Sequence, residues 1–178
     1  MSQAKSHHRR NLFLFAVILF CLDHLTKWLA IEYLKPHPPY LFFNDLARLQ
    51  YAENSGAFLG MGSDLSPHLR LIIFSVLVGV VLIYFTYNLW RELKDHYHPR
   101  LHIAQTAIVS GGFANLVDRI FRESHAVVDF MNVGIGPHFR TGIFNIADMA
   151  ILFGFIAIIL KPDDLLKKAA STPESPQS

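Results

Sequence analysis

The stretch Leu71–Trp90, LIIFSVLVGVVLIYFTYNLW, runs for 20 residues without an ionisable carboxylate, amine, guanidinium or imidazole. A helix of that length crosses a hydrocarbon core of about 30 Å. It has no polar face, so it does not read as the amphipathic helix of a soluble globule. Outward from it lie three more charge-free runs, Asn11–Leu22, Leu101–Val117 and Met149–Leu160. Each reaches spanning length only when neighbouring polar residues are admitted: Asp23 and Lys27, Asp118 and Arg119, and Asp148. Short buried helices of a soluble protein are the alternative for these three. The composition of 178 residues, 52% hydrophobic and 17% charged, agrees with a membrane chain. One cysteine, Cys21, excludes a disulfide scaffold, and a formal charge of +2 without a basic stripe gives no reason to expect nucleic-acid binding.

The predicted architecture is all-α: a four-transmembrane-helix bundle with spans over about 11–31, 69–90, 101–121 and 141–160. It forms one integral-membrane domain over residues 1–170, followed by a Ser/Pro-rich disordered tail at 171–178. External segments fall at 32–68 and 122–140. Cations decide the orientation. Lys5, Arg9, Arg10, Arg91, Lys94, Arg100, Lys161, Lys167 and Lys168 lie on one side; Lys35, Arg48, Arg122 and Arg140 lie on the other, with Arg70 at a span edge. Both termini are therefore expected in the cytoplasm. The basic N-terminus followed by Leu12–Phe20 resembles a signal peptide, but the apolar stretch continues to Ile31 and reads as an uncleaved span. In the first external segment, Leu46–Glu53 carries a loose strand alternation and Asn54-Ser55-Gly56 reads as a turn.

A charge inside a bilayer costs about 2.5–3.5 kcal/mol, so it needs a partner, an interface or a wet cavity. With this topology Asp23, Lys27, Asn115, Asp118, Arg119, Asn145 and Asp148 all fall toward the external ends of their spans. Asp23 and Lys27 are spaced i,i+4; Gly111, Asn115 and Asp118/Arg119 follow i,i+4 and i,i+3 or i+4; Asn145 and Asp148 are i,i+3. Each helix thus offers one polar stripe at this level, and the three stripes could converge. Interhelical ion pairs are the favoured reading of Asp23, Lys27 and Asp118: Asp23 with Lys27, and Asp118 with Arg119 or a neighbour. Asp148 has no cation in its own span. Asp129 sits in the apolar tetrad Val127-Val128-Asp129-Phe130, where a solvated loop acid is the alternative. Asp129 beside Asp148 would make two carboxylates that cannot both ionise easily, a pair able to activate water with one acid and protonate an amine with the other. No HExxH or GxSxG occurs, and the histidines scatter, so neither a metal nor a cofactor is expected.

Five elements in order resemble the bacterial lipoprotein signal peptidases, the signal peptidase II family. Asp23-His24-Leu25-Thr26-Lys27 looks like its D-x-x-T-K element and Asn54-Ser55-Gly56-Ala57-Phe58 its N-x-G-A-F element. Gly111 through Asn115-Leu116-Val117-Asp118-Arg119 is similar to G-x-x-x-N-x-x-D-R. Val127-Val128-Asp129-Phe130 and Phe144-Asn145-Ile146-Ala147-Asp148 match V-V-D-F and F-N-x-A-D. The chain departs from the usual pattern at Ala114, His125 and Met149, and its stretch between Arg119 and Asp129 is longer.

The resemblance implies an aspartic endopeptidase of the bacterial inner membrane, with its active site near the external face. It would cleave diacylglyceryl prolipoproteins on the amino side of the lipidated cysteine. Asp129 and Asp148 would be the catalytic pair, and Asn54, Gly56, Asn115, Arg119 and Asn145 would line or shape the substrate site. Asp23, Lys27, Asp118 and Gly111 would be structural. A small external β-cradle over 36–66 and a short external helix and loop from 122–140 are further expectations. So are membrane lipids and signal-peptide-like inhibitors as ligands, and action as a monomer. The rival readings are a small transporter or proton relay using the same acids, and a non-catalytic assembly protein.

Overall fold

The computed structural model describes residues 2–56, 66–95, 98–136 and 138–160. Ala57 and Phe58 of the N-x-G-A-F element, Lys161, Lys167, Lys168 and the 171–178 tail lie outside the described residues. The elements are α1 (Ser2–Tyr33), β1 (Tyr40–Phe42), β2 (Ala47–Asn54), α2 (Pro67–Asp95), α3 (Pro99–Phe121), β3 (Val127–Ile135), β4 (Phe139–Arg140) and α4 (Ile146–Ile159).

α3 is the central helix, packed against α1, α2 and α4, most extensively against α4. Pro99 opens it, where the missing N–H costs no helical hydrogen bond. Small residues make the closest approaches. A Cβ added at Gly111 would lie 2.5 Å from the carbonyl oxygen of Ala147, and one at Gly154 would lie 2.7 Å from that of Ala104. The α3 and α4 backbones therefore touch at two levels. α2 presents Ile72, Val76, Val80, Ile83 and Tyr87 outward. Among the described residues, two helical stretches, Lys5–Tyr33 and Ser75–Lys94, are long and apolar enough to cross a membrane; α4 is apolar but shorter.

The fourth helix starts later than expected. Residues 141–145 are not helical, because Asn145 caps α4: its side chain accepts the Asp148 N–H, and Asp148 reaches back to the Asn145 N–H. This reciprocal cap supplies two of the donors that a helix N-terminus leaves unpaired.

The first external segment supplies strands within 36–66 as expected, whereas the second folds differently from expectation. One antiparallel sheet, ordered β1-β2-β3-β4, takes half its strands from each segment. Among the described residues of 122–140 there is no helix: α3 stops at Phe121, a turn with His125 at φ 50° follows, and β3 begins at Val127. The apolar tetrad decides this. Val128 and Phe130 pack on Ala30, Ile31 and Leu34 at the end of α1, which a strand permits by pointing alternate residues to one face. A bulge between Leu49 and Ala52 sets the later register, pairing Ala52 with Asp129 and Asn54 with Val127. At the far end, Arg140 donates to Asn132 Oδ1 at 2.5 Å and to the Asp45 carbonyl at 2.7 Å, tying β4 to the β1–β2 hairpin.

Candidate active site

Lys27 is the buried hub of the helical part. Its Nζ lies 2.6 Å from Asp23 Oδ2, 2.7 Å from Asp118 Oδ2 and 2.9 Å from Asn115 Oδ1. Asp23 Oδ1 accepts the backbone N–H of Ala147 at 2.8 Å, which anchors the first turn of α4 to α1. The interhelical ion-pair reading thus holds for these three residues. Of the two partners left open for Asp118 it is a neighbour and not Arg119: Asp118 faces Lys27, whereas Arg119 turns away. Consecutive residues on a helix do not share a face. Arg119 donates to the carbonyls of Asn115 and Gly56, each at 3.2 Å.

Asp129 is not a solvated loop acid. It stands on β3 and is 1% exposed. Its Oδ1 accepts from Asn145 Nδ2 at 2.7 Å and its Oδ2 from Asn54 Nδ2 at 3.0 Å. Asn54 pairs with Val127, so Asp129 is its diagonal neighbour across the strands. Asn54 Oδ1 accepts the Gly56 N–H at 3.1 Å, which fixes the amide with its NH2 toward Asp129. Burial, and then the charge of Asp148, push the Asp129 carboxyl up to about 7.

Asp148 occupies the first turn of α4 and is partly exposed. Its Oδ1 accepts from Asn115 Nδ2 at 2.8 Å and its Oδ2 from the Asn145 N–H at 3.1 Å. Asn145, fully buried, therefore holds both acids, and its Nδ2 also lies 3.2 Å from Asn115 Oδ1. All eleven residues singled out in the sequence enter this one assembly. Gly111 enters it indirectly, by letting α4 approach at Ala147.

Two contributors are invisible to residue-type reasoning because they act through the backbone. One is the Ala147 N–H on Asp23. The other is Phe144, which exchanges hydrogen bonds with Met131 at 2.8 and 2.9 Å and also accepts from the Phe130 N–H at 3.1 Å. This bridge presses Asn145 against β3. The only hint in the sequence is that both lie within Phe144-Asn145-Ile146-Ala147-Asp148. The arrangement joins two carboxylates through fixed amide donors, with a single ammonium behind one of them. Such a pair can hold one proton and polarise a water.

The family described as Signal peptidase (SPase) II matches residues 15–162. A lipoprotein signal peptidase of Borrelia garinii subsp. bavariensis is 31% identical over 172 residues, 95% of this chain and 99% of the relative. One from Borreliella burgdorferi (strain ZS7) is 34% identical over 161 residues, 88% of this chain and 92% of the relative. A solved bacterial membrane enzyme, determined by the in meso method, superposes with a TM-score of 0.73 at 27% identity, covering 94% of each chain.

Proposed function

The chain belongs to the signal peptidase II family, and from that premise we propose that it is an aspartic endopeptidase whose catalytic pair is Asp129 and Asp148. It removes signal peptides from prolipoproteins. The observation that carries the assignment is Asn145, which donates to Asp129 at 2.7 Å and to Asp148 at 3.1 Å and so holds two carboxylates around one point. Near neutral pH such a pair shares a proton. The ionised member draws a proton from water, whose oxygen attacks the scissile carbonyl carbon. As the C–N bond breaks, the protonated member passes its proton to the leaving nitrogen. The proton taken from water then returns to the second acid, and one water is consumed. The scheme requires no metal.

The substrate in this reading is a diacylglyceryl prolipoprotein, cut on the amino side of the lipidated cysteine. The diacylglyceryl group stays in the bilayer while the peptide meets Asn54, Gly56, Asn115, Arg119 and Asn145. The reading also carries four spans with both termini cytoplasmic and the acids near the external face of the inner membrane. Its support is the cation asymmetry, the two long apolar helices, and the inward aim of every polar side chain of the Lys27 cluster. The acids form one contiguous assembly, not a ladder through the membrane, which favours chemistry at one level over a proton relay.

The test is cleavage of a purified diacylglyceryl prolipopeptide in detergent. Asp129→Asn and Asp148→Asn each abolish it while the protein stays folded, and chelators leave the wild type unaffected. Substantial turnover by either variant, or chelator inhibition reversed by zinc, overturns the assignment.

A further inference from the structure

The two acids are not equivalent. Asp148 lies in the first turn of α4, where the helix N-terminus favours negative charge, and it is the more exposed of the two. Asp129 is on a strand, almost fully buried, and its hydrogen-bond donors are neutral amides. Behind Asp148 stands a chain of contacts with a fixed polarity. An ammonium group only donates hydrogen bonds. Lys27 Nζ at 2.9 Å therefore obliges the facing atom of Asn115 to be the acceptor, Oδ1. The Asn145 amide, donating to that same oxygen, requires it too. Asn115 then has its NH2 toward Asp148 Oδ1, at 2.8 Å. The second Asp148 oxygen meets the backbone N–H of Asn145, which is a donor by nature. Both Asp148 oxygens thus face fixed donors, as both Asp129 oxygens do; what sets Asp148 apart is the ammonium behind its Asn115 donor, the helix N-terminus and its greater exposure.

From this geometry we infer that Lys27 is a positioning residue for catalysis: acting through Asn115, it keeps Asp148 the ionised, water-activating acid and leaves the resting proton on Asp129. This rests on the aspartic-pair reading above and adds the roles that reading leaves open. Asp148 takes the proton from water, and the Asp129 O–H protonates the leaving nitrogen. Among the described residues, the other ionisable groups around the pair are Asp23 on α1 and Asp118 and Arg119 on α3. Asp23 and Asp118 are held by Lys27 itself, and the Arg119 guanidinium, bound to two carbonyls, acts electrostatically on both acids and so does not distinguish them.

Infrared difference spectroscopy of the detergent-purified protein, slightly below neutral pH, reads the C=O stretch of a protonated carboxyl group directly. Asp129→Asn is expected to lose this band and Asp148→Asn to keep it. Adding Asn115→Leu to Asp129→Asn cuts the link but leaves Lys27 its two carboxylates, and the band is expected to return, now on Asp148. Lys27→Gln combined with Asp118→Asn conserves the net charge of the buried cluster and should return it in the same way. In otherwise wild-type protein, Asn115→Leu should lower kcat about tenfold to a hundredfold, more than it changes KM. A band lost in Asp148→Asn and kept in Asp129→Asn overturns the inference while the dyad stands. So does Asn115→Leu with wild-type kcat. Where the multiple variants do not fold, the comparison of the two single Asp→Asn proteins decides where the proton rests. If either single variant still cleaves, it is the aspartic-pair reading itself that fails.

Discussion

Asn145 Nδ2 lies 2.7 Å from Asp129 Oδ1, so the residue that caps α4 also fixes the acid of the strand. Capping and site geometry can be separated by substitution. Serine caps a helix nearly as well as asparagine but is too short to carry an amide to Asp129. Asn145→Ser should therefore melt close to the wild type in detergent and yet cleave about tenfold more slowly, the worth of one hydrogen bond. Equal loss of melting temperature and activity would mean that Asn145 serves only the helix.

Asp129 carries a pH signature. Its carboxyl titrates at about 7 in the folded protein against 3.8 for a free side chain, raised first by burial and then by Asp148. Between those values the folded state holds a proton that the unfolded chain has released. Stability from this group is therefore full below 3.8, is lost as pH rises through the window, and is level above about 7. Asp129→Asn cannot release that proton. Its melting temperature relative to the wild type should climb across the window and flatten above it. A difference independent of pH would show that Asp129 ionises normally.

The Asn54-Ser55-Gly56 turn is anchored from both sides, by Asn54 to Asp129 and by Arg119 to the Gly56 carbonyl. Neither contact is an ion pair between helices, so little of the helical packing depends on them. Asn54→Ala is expected to keep its melting temperature and lose about tenfold to a hundredfold in cleavage. It should also respond more weakly to a substrate-mimicking peptide inhibitor. Arg119→Ala, whose partners are carbonyls and not Asp118, should likewise lose more cleavage than stability. Wild-type cleavage by Asn54→Ala would remove the turn from the site.

Gly111 and Gly79 offer a matched pair. A methyl group at Gly111 meets the Ala147 carbonyl oxygen at 2.5 Å, whereas at Gly79 nothing lies within 4 Å. Gly111→Ala should push α4 from α3 at the residue that holds Asp23, destabilising by about 1–3 kcal/mol. Gly79→Ala should be neutral or slightly stabilising, since alanine suits a helix better. Thermal unfolding in detergent measures both; equal behaviour would deny the close approach of α3 and α4.

By itself the sequence determined where the long apolar helices run, because a charge-free run such as Leu71–Trp90 is a local property with one economical solution in lipid. It also determined which residues are unusual, since each carboxylate, amide or ammonium in an apolar stretch needs a reason to be there. The spacing of Asp23 and Lys27 even specified a contact, because i,i+4 residues must meet on a helix. Only the tertiary structure decided the rest. Whether it is Asp118 or Arg119 that faces Lys27 depends on how α3 is rotated against α1. Asn145 and Asp148 resembled one helical stripe, but the bridge of Phe144 to Met131 ends the helix and makes Asn145 a cap reaching β3. The 122–140 segment became strands because Val128 and Phe130 find α1 and Asp129 finds Asn54, partners 75 or more positions away. Contacts of that separation are chosen by packing and hydrogen-bond satisfaction across the whole fold, which no local pattern encodes.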